Sequence, residues 1–130
     1  MAEFSESISS LPFFHASSNG VTIQEISDAE ARLGVSFSED YAEYVSAFGY
    51  AAVNGHELTG ICEHPRLNVV SVTEAERGCG HGEMPNWYVV ERLGVDGLLA
   101  WQDEKGVVYL TAQWRNPEPA AGSLLEFVSQ

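Results

Sequence analysis

Positive charge is what this sequence has least of. Six lysines and arginines stand against nineteen aspartates and glutamates, a formal net charge of −13 over 130 residues. Such a surface repels nucleic acid and anionic lipid and speeds encounter with a basic partner, so the balance argues against direct DNA or RNA binding. Cysteine is scarce too: Cys62 and Cys79 are only one possible pair, which argues against a disulfide-built scaffold. No stretch approaches the ~18 consecutive apolar residues of a membrane span. Residues Met1 to Glu6 are acidic and lack a continuous apolar run, unlike a secretory signal, and a cytoplasmic protein is expected. Also missing are a G-x-S-x-G elbow, an H-E-x-x-H helix and a G-x-x-x-x-G-K phosphate loop.

What is present suffices for a core. At 45% hydrophobic and 11% aromatic, a chain of this length predicts a single domain over 1–130 that buries about two-thirds of the surface its unfolded form exposes. Thr22 to Gly49 carries the clearest punctuation. Thr22-Ile23-Gln24-Glu25 is a capping box that starts a helix at Ile23. Ile23, Ile26, Ala29 and Leu33 then form an apolar stripe before Gly34. Ser38 caps a second helix, Glu39 and Asp40 place negative charge on its positive end, and Tyr41, Tyr44, Val45 and Phe48 recur at helical spacing. Neither segment reaches the roughly 12–15 residues at which isolated helices begin to persist, so both need a common surface to pack on.

The surface expected is a sheet. Trp87 to Leu93, Leu98 to Gln102 and Val107 to Thr111 have strand composition and are joined by the turns Gly94–Gly97 and Asp103–Gly106, which predicts an antiparallel meander covered on one face by the two helices. Glu57 to Glu63 reads as a further strand, and Leu67 to Val72 as a strand or extended connection. Thr73 to Glu76 repeats the capping-box pattern and predicts a short helical turn ending at Gly78. Gly78 to Asn86 is rich enough in glycine to be a mobile loop. Arg115 to Gly122 reads as a loop, and Ser123 caps a short last helix through Val128. Residues 1–21 read as an extension with a frayed helix, Phe13 and Phe14 packing as an apolar clasp and His15 to Gly20 forming a loop. The expected class is α+β: a largely antiparallel sheet, N-terminal helices packed on it and a short C-terminal helix.

These segments together resemble the SUKH superfamily, which groups bacterial immunity proteins with fungal Smi/Knr-like cell-wall regulators. The likeness begins with Ile23-x-x-Ile26-x-x-Ala29-Glu30-x-x-Leu33-Gly34-Val35-x-Phe37-x-x-Asp40-Tyr41-x-x-Tyr44-Val45. It continues through Glu57-Leu58-x-Gly60-Ile61, Gly94-x-Asp96-Gly97, Asp103-x-x-Gly106-Val107-Val108-Tyr109 and Ser123-Leu124-x-Glu126-Phe127-Val128, covering roughly 22–129. The family's usual proline after the phenylalanine is Ser38 here. The resemblance implies a non-enzymatic immunity protein that neutralises a cognate toxin, often a basic nuclease or nucleic-acid deaminase. Its fungal branch implies the alternative, a regulatory interaction module with a cellular partner. An uncharacterised small enzyme is a third reading.

No cofactor is expected. Cys62-Glu63-His64 and Cys79-Gly80-His81 supply two thiols and two imidazoles, a sufficient set for tetrahedral zinc, yet their spacing is not that of closed zinc sites. A buried Cys62 and an exposed thiol at Cys79 are expected instead. A tight inhibitor needs an apolar anchor ringed by complementary charge. The candidates for that role are the acids Glu63, Glu74, Glu76, Glu83, Asp103 and Glu104, with Trp87 or Trp114 as anchor and core packing as the competing use of either tryptophan.

Overall fold

The computed structural model describes residues 2–16, 19–94 and 97–130, with the side chains of Ala2 and Glu3 left aside. The expected turn at Gly94 to Gly97 thus falls partly outside the described residues, at Val95 and Asp96, and so do Ser17 and Ser18 of the expected loop. The fold class is α+β, as expected. Helices α1 (Ala2–Ser9), α2 (Ile23–Leu33), α3 (Glu39–Phe48), α4 (Val69–Glu76) and α5 (Leu124–Val128) accompany two antiparallel sheets. One sheet orders β1 (His15–Ala16), β2 (Ala51–Val53) and β3 (His56–Glu57). The other orders β4 (Tyr88–Arg92), β5 (Leu99–Gln102), β6 (Val108–Thr111) and β7 (Glu118–Ala121).

Local chemistry sets the helix starts. Thr22 Oγ1 accepts from Glu25 N–H (3.1 Å) and Glu25 Oε1 accepts from Thr22 N–H (3.0 Å), the reciprocal pair expected from the sequence. Gly34 closes α2 at φ +69°, where a side chain would be strained. Ser38 and Ser123 cap α3 and α5 through their hydroxyls. The stripe on α2 is shorter than its spacing implies: Ala29 and Leu33 are buried and Ile26 packs partly buried on the core, whereas Ile23 at the start of the helix is 82% exposed.

Several expectations are corrected. Leu67 to Val72 is neither strand nor extended connection: a 3-10 turn, Pro65–Leu67, leads into α4. Asn68 is the cap, its Oδ1 accepting from the N–H groups of Val70 and Ser71 (2.9 and 3.2 Å). Thr73 therefore lies inside α4, and its hydroxyl accepts from Val89 N–H (3.0 Å). The strand expected over Glu57 to Glu63 shrinks to His56–Glu57, after which Gly60 makes an isolated parallel bridge to Asn68. Within the expected C-terminal loop, β7 pairs with β6 as an edge strand, a place in a sheet where Pro119 is tolerated. The N-terminal helix is anchored: Ile8 is fully buried, and Ser5 N–H and Oγ–H both donate to Glu43 Oε2 (2.8 and 2.7 Å). Of the phenylalanine pair, Phe14 packs edge-on against Phe48 at 5.0 Å while Phe13 is 87% exposed.

The four-stranded sheet buries both faces. Tyr88, Val90, Ala100 and Val108 join Leu33, Tyr41, Tyr44, Val45, Leu58, Leu124 and Phe127 in the main core. On the other face, Trp87, Val89, Leu99 and Trp101 pack with Val72 of α4, and Trp87 stacks on Tyr109 at 4.1 Å. Strand β4 is an edge, and its outer polar groups are covered. Thr59 N–H donates to Val90 O and Thr59 Oγ1 to Val89 O, both at 2.8 Å, which blunts the edge against pairing with another chain. A bulge between Val89 and Glu91 places Glu91 opposite Ala100, so its carboxylate points to the core face and meets His56 Nδ1 at 2.7 Å.

Candidate functional site

Opposite ends of the β4–β5 hairpin differ in how their polar and aromatic groups are used. At the Tyr88–Gln102 end, Ser38 N–H donates to Tyr88 Oη (2.9 Å) and Tyr88 O–H donates to Gln102 Oε1 (2.9 Å). Gln102 Nε2 donates to Asp40 Oδ1 (3.1 Å) and to Gly106 O (3.0 Å). Asp40 Oδ2 accepts from Leu124 N–H at the start of α5 (2.8 Å), and Asp40 also bonds Ser38 Oγ. Phe37, Tyr41, Tyr44 and Tyr88 interlock around this chain with successive ring centres 4.8 to 5.4 Å apart. Burial drives the hydroxyls of Tyr41, Tyr44 and Tyr88 far above the usual phenol range, so they act as neutral hydrogen-bonding groups.

A cleft of about 560 Å³ opens beside this network, lined by Phe4, Glu39, Asp40, Glu43, Glu104 and Lys105. Its carboxylates are only partly available. Asp40 and Glu43 are spent on the internal bonds just described, leaving Glu39 and Glu104 exposed to solvent.

The other end is reached through the glycine-rich segment, which is tied down at several points. Gly78 N–H donates to Glu83 Oε2 (3.1 Å), Gln113 Nε2 to Cys79 O (2.8 Å) and Trp114 N–H to Gly80 O (2.8 Å). His81 is buried, its Nδ1 2.7 Å from Thr111 Oγ1. These ties replace the mobile loop expected from composition. Trp114 stands on this platform with 83% of its surface exposed and φ at +64°. Its ring lies over Gly80, itself at φ +85°, so that a Cβ there would come within 2.7 Å of Trp114 Cζ3 unless the ring shifted.

The candidate residues thus take different places. Trp114 is exposed, whereas Trp87 is 6% exposed and belongs to the core. Asp103 is buried in its turn, where Oδ1 accepts from Lys105 and Val107 N–H (2.9 and 3.0 Å) and Oδ2 accepts from Tyr109 O–H (3.1 Å). Glu74 and Glu76 lie on α4 and pair with Arg32 (3.2 Å) and Arg92 (2.9 Å). Glu83 accepts within its own loop, while Glu63 and Glu104 project into solvent. Turn-forming and pairing thus consume several of these acids. For zinc, Cys62 and His64 contact Asn68 and Tyr50, while Cys79 and His81 lie at Gln113 and Thr111. No three His, Cys, Asp or Glu side chains among the described residues are placed to hold a metal ion. Burial also raises the Cys62 thiol above its usual range, which lowers its thiolate reactivity.

Two features differ in how far the sequence signals them. A tryptophan between Gln113 and Arg115, followed by Asn116-Pro117, marks an indole on a turn, but nothing local discloses its positive φ. The junction role of Thr59 has no local signal at all, because its partners Tyr41, Val89 and Val90 are 18 to 31 positions away.

Among the described residues no helix is long and apolar enough to cross a membrane. The family model SUKH_5, described as SMI1-KNR4 cell-wall, matches residues 1–130, which includes the N-terminal segment beyond the likeness seen in the sequence. No curated protein matches the chain at a significant level.

Proposed function

The chain belongs to the SUKH superfamily, and from that premise we propose that it is a non-enzymatic immunity protein that docks onto a basic toxin domain through Trp114. Trp114 carries this reading. A bulky side chain in left-handed backbone is disfavoured by roughly 1–2 kcal/mol, and an exposed indole recovers none of that from burial. Both deficits are offset if the ring is covered in a complex, and tryptophan is the residue type most enriched among interface anchors. The net charge of −13 favours a basic partner and sets the rate of encounter rather than the strength of the anchor. A toxin acting on nucleic acid presents such a basic surface to its substrate.

The description of the matching family favours a second reading, an interaction module with a cellular partner. Co-expression separates them. The chain is produced together with the toxin encoded beside it, in a host that the toxin alone kills. Survival is expected with the intact chain and not with Trp114→Gly. Rescue by neither, for every neighbouring toxin, overturns the immunity reading and leaves the regulatory one.

A further inference from the structure

A cavity of about 370 Å³ adjoins the glycine-rich segment at the Arg92–Leu99 end of the β4–β5 hairpin, walled by Glu76, Cys79, His81, Arg92, Leu99 and Gln113. Its volume is in the lower part of the range of small-molecule sites. One side-chain nitrogen on its wall has no partner among the described residues. Trp101 Nε1–H donates to Thr111 Oγ1 (2.7 Å), and the same oxygen lies 2.7 Å from His81 Nδ1. An indole N–H can only donate, so Thr111 accepts from Trp101; Nδ1 is the one acceptor within reach of the Thr111 hydroxyl among the described residues, and the hydroxyl proton goes there. That direction leaves the neutral imidazole with its proton on Nε2.

His81 is 3% exposed, and no described residue accepts from Nε2. Among the described residues no fully enclosed side-chain nitrogen or oxygen lacks a partner. The unpartnered nitrogen is therefore not fully enclosed, and His81 is one of the residues that line the cavity. Arg92 supplies further donors: its Nε is used on Glu76 Oε2 (2.9 Å), and its terminal N–H groups remain. Acids stand among these donors, Glu76 on the cavity wall and Glu83 in the adjoining loop. Of six cations, Arg77, Arg92 and Arg115 lie on the segments that frame this end, Arg77 donating to Pro85 O (3.3 Å) and Arg115 following Trp114.

We propose that this cavity binds a compact carboxylate, one oxygen accepting from His81 Nε2–H and the other from the Arg92 guanidinium, with a short apolar stem against Leu99. The site stands independently of the toxin reading, since neither its donors nor its walls involve the Trp114 ring. The carboxylate can be a free small acid or the C-terminus of a protein chain.

The test uses the intact protein, with butyrate, butyramide and butylammonium as probes followed by NMR. Trp101 Nε1–H and the His81 ring nitrogens report on the site directly, because Thr111 links them. Butyrate is expected to shift these signals saturably and butylammonium to leave them unchanged. Arg92→Gln is expected to weaken butyrate binding about tenfold, as for loss of one charge-assisted hydrogen bond. His81→Phe is expected to abolish it, with the remaining amide spectrum confirming the fold. A tetrapeptide with a free C-terminus is compared with its amidated form: tighter binding of the free acid than of butyrate assigns the site to protein chains, and weaker binding assigns it to small acids. No saturable shift with butyrate or the free-acid peptide overturns the proposal. Equal shifts with butylammonium, or unchanged affinity in Arg92→Gln, overturn it as well.

Discussion

Tyr88 and Gln102 face each other at one end of the β4–β5 hairpin, and Arg92 and Leu99 at the other. At the first end Ser38, Asp40, Tyr88, Gln102 and the N-terminus of α5 close a buried chain of hydrogen bonds inside a box of aromatic rings. At the second a histidine that lines a cavity keeps a ring nitrogen without a partner among the described residues, and an indole stands in solvent on a left-handed backbone. The same sheet thus holds a finished core at one end and unsatisfied groups at the other. Stability is concentrated where polar groups close on one another, and recognition is expected where they do not.

The sharpest contrast is between two tryptophans. Trp101 is fully buried with its N–H satisfied by Thr111, and Trp101→Ala is expected to cost about 3–5 kcal/mol in urea unfolding, the range for deleting a large aromatic from a core. Trp114→Gly is expected to leave stability unchanged or raise it by up to about 1 kcal/mol, because glycine relieves the positive φ. A loss above about 2 kcal/mol in that variant would show Trp114 to be structural and erase the contrast.

Ser38 probes the closed end. A proline at this position removes both the hydroxyl cap of α3 and the N–H that donates to Tyr88. Ser38→Pro is expected to lower stability by about 2–3 kcal/mol, the sum of a lost cap and a lost buried hydrogen bond. A fall in melting temperature together with retained carboxylate binding would confirm that the two ends are separate. Concurrent loss of the binding signals would join them.

Glu91 links the two sheets through His56 and through Glu57 N–H (2.9 Å). Burial, only partly opposed by His56, raises its carboxyl above the ordinary value of 4.5. The sign follows from linkage: an acid raised in the folded state contributes stability that is complete below pH 4.5 and lost as pH climbs through the raised value. Glu91→Gln keeps an acceptor for Glu57 N–H without the buried charge. It is expected to match or exceed the wild type by about 1 kcal/mol at neutral pH, with the gap closing below pH 4.5. Urea titrations of both proteins across this window test the sign, and a variant that becomes relatively more stable as pH falls would reverse it.

The smallest effects on folding belong to the exposed acids. Neutralising Glu63, Glu74 and Glu104 together is expected to change stability by less than about 0.5 kcal/mol, since surface pairs such as Glu74–Arg32 contribute little. Association with a basic toxin should slow and lose part of its salt dependence. Unchanged kinetics in stopped-flow mixing would remove charge from the mechanism.

Residues a few positions apart disclosed much of this molecule, and residues far apart decided the rest. The capping box at Thr22, the caps at Ser38 and Ser123, the glycine end of α2, strands β4 to β6 and the acidic charge were legible because each follows from neighbouring backbone groups or from simple summation. Tertiary contacts turned Leu67 to Val72 from extended chain into the start of α4. They drew β7 out of a proline-containing loop, pinned the glycine-rich segment and aimed Glu91 inward at a bulge. They also chose which large apolar groups stay outside, Phe13, Ile23, Met84 and Trp114 among the described residues, over those that went in. The caps at Thr22, Ser38 and Ser123 use partners three residues away, so sequence alone determined them. Exposure and cavity walls depend on which distant segments close over a side chain, and only the folded arrangement determined that.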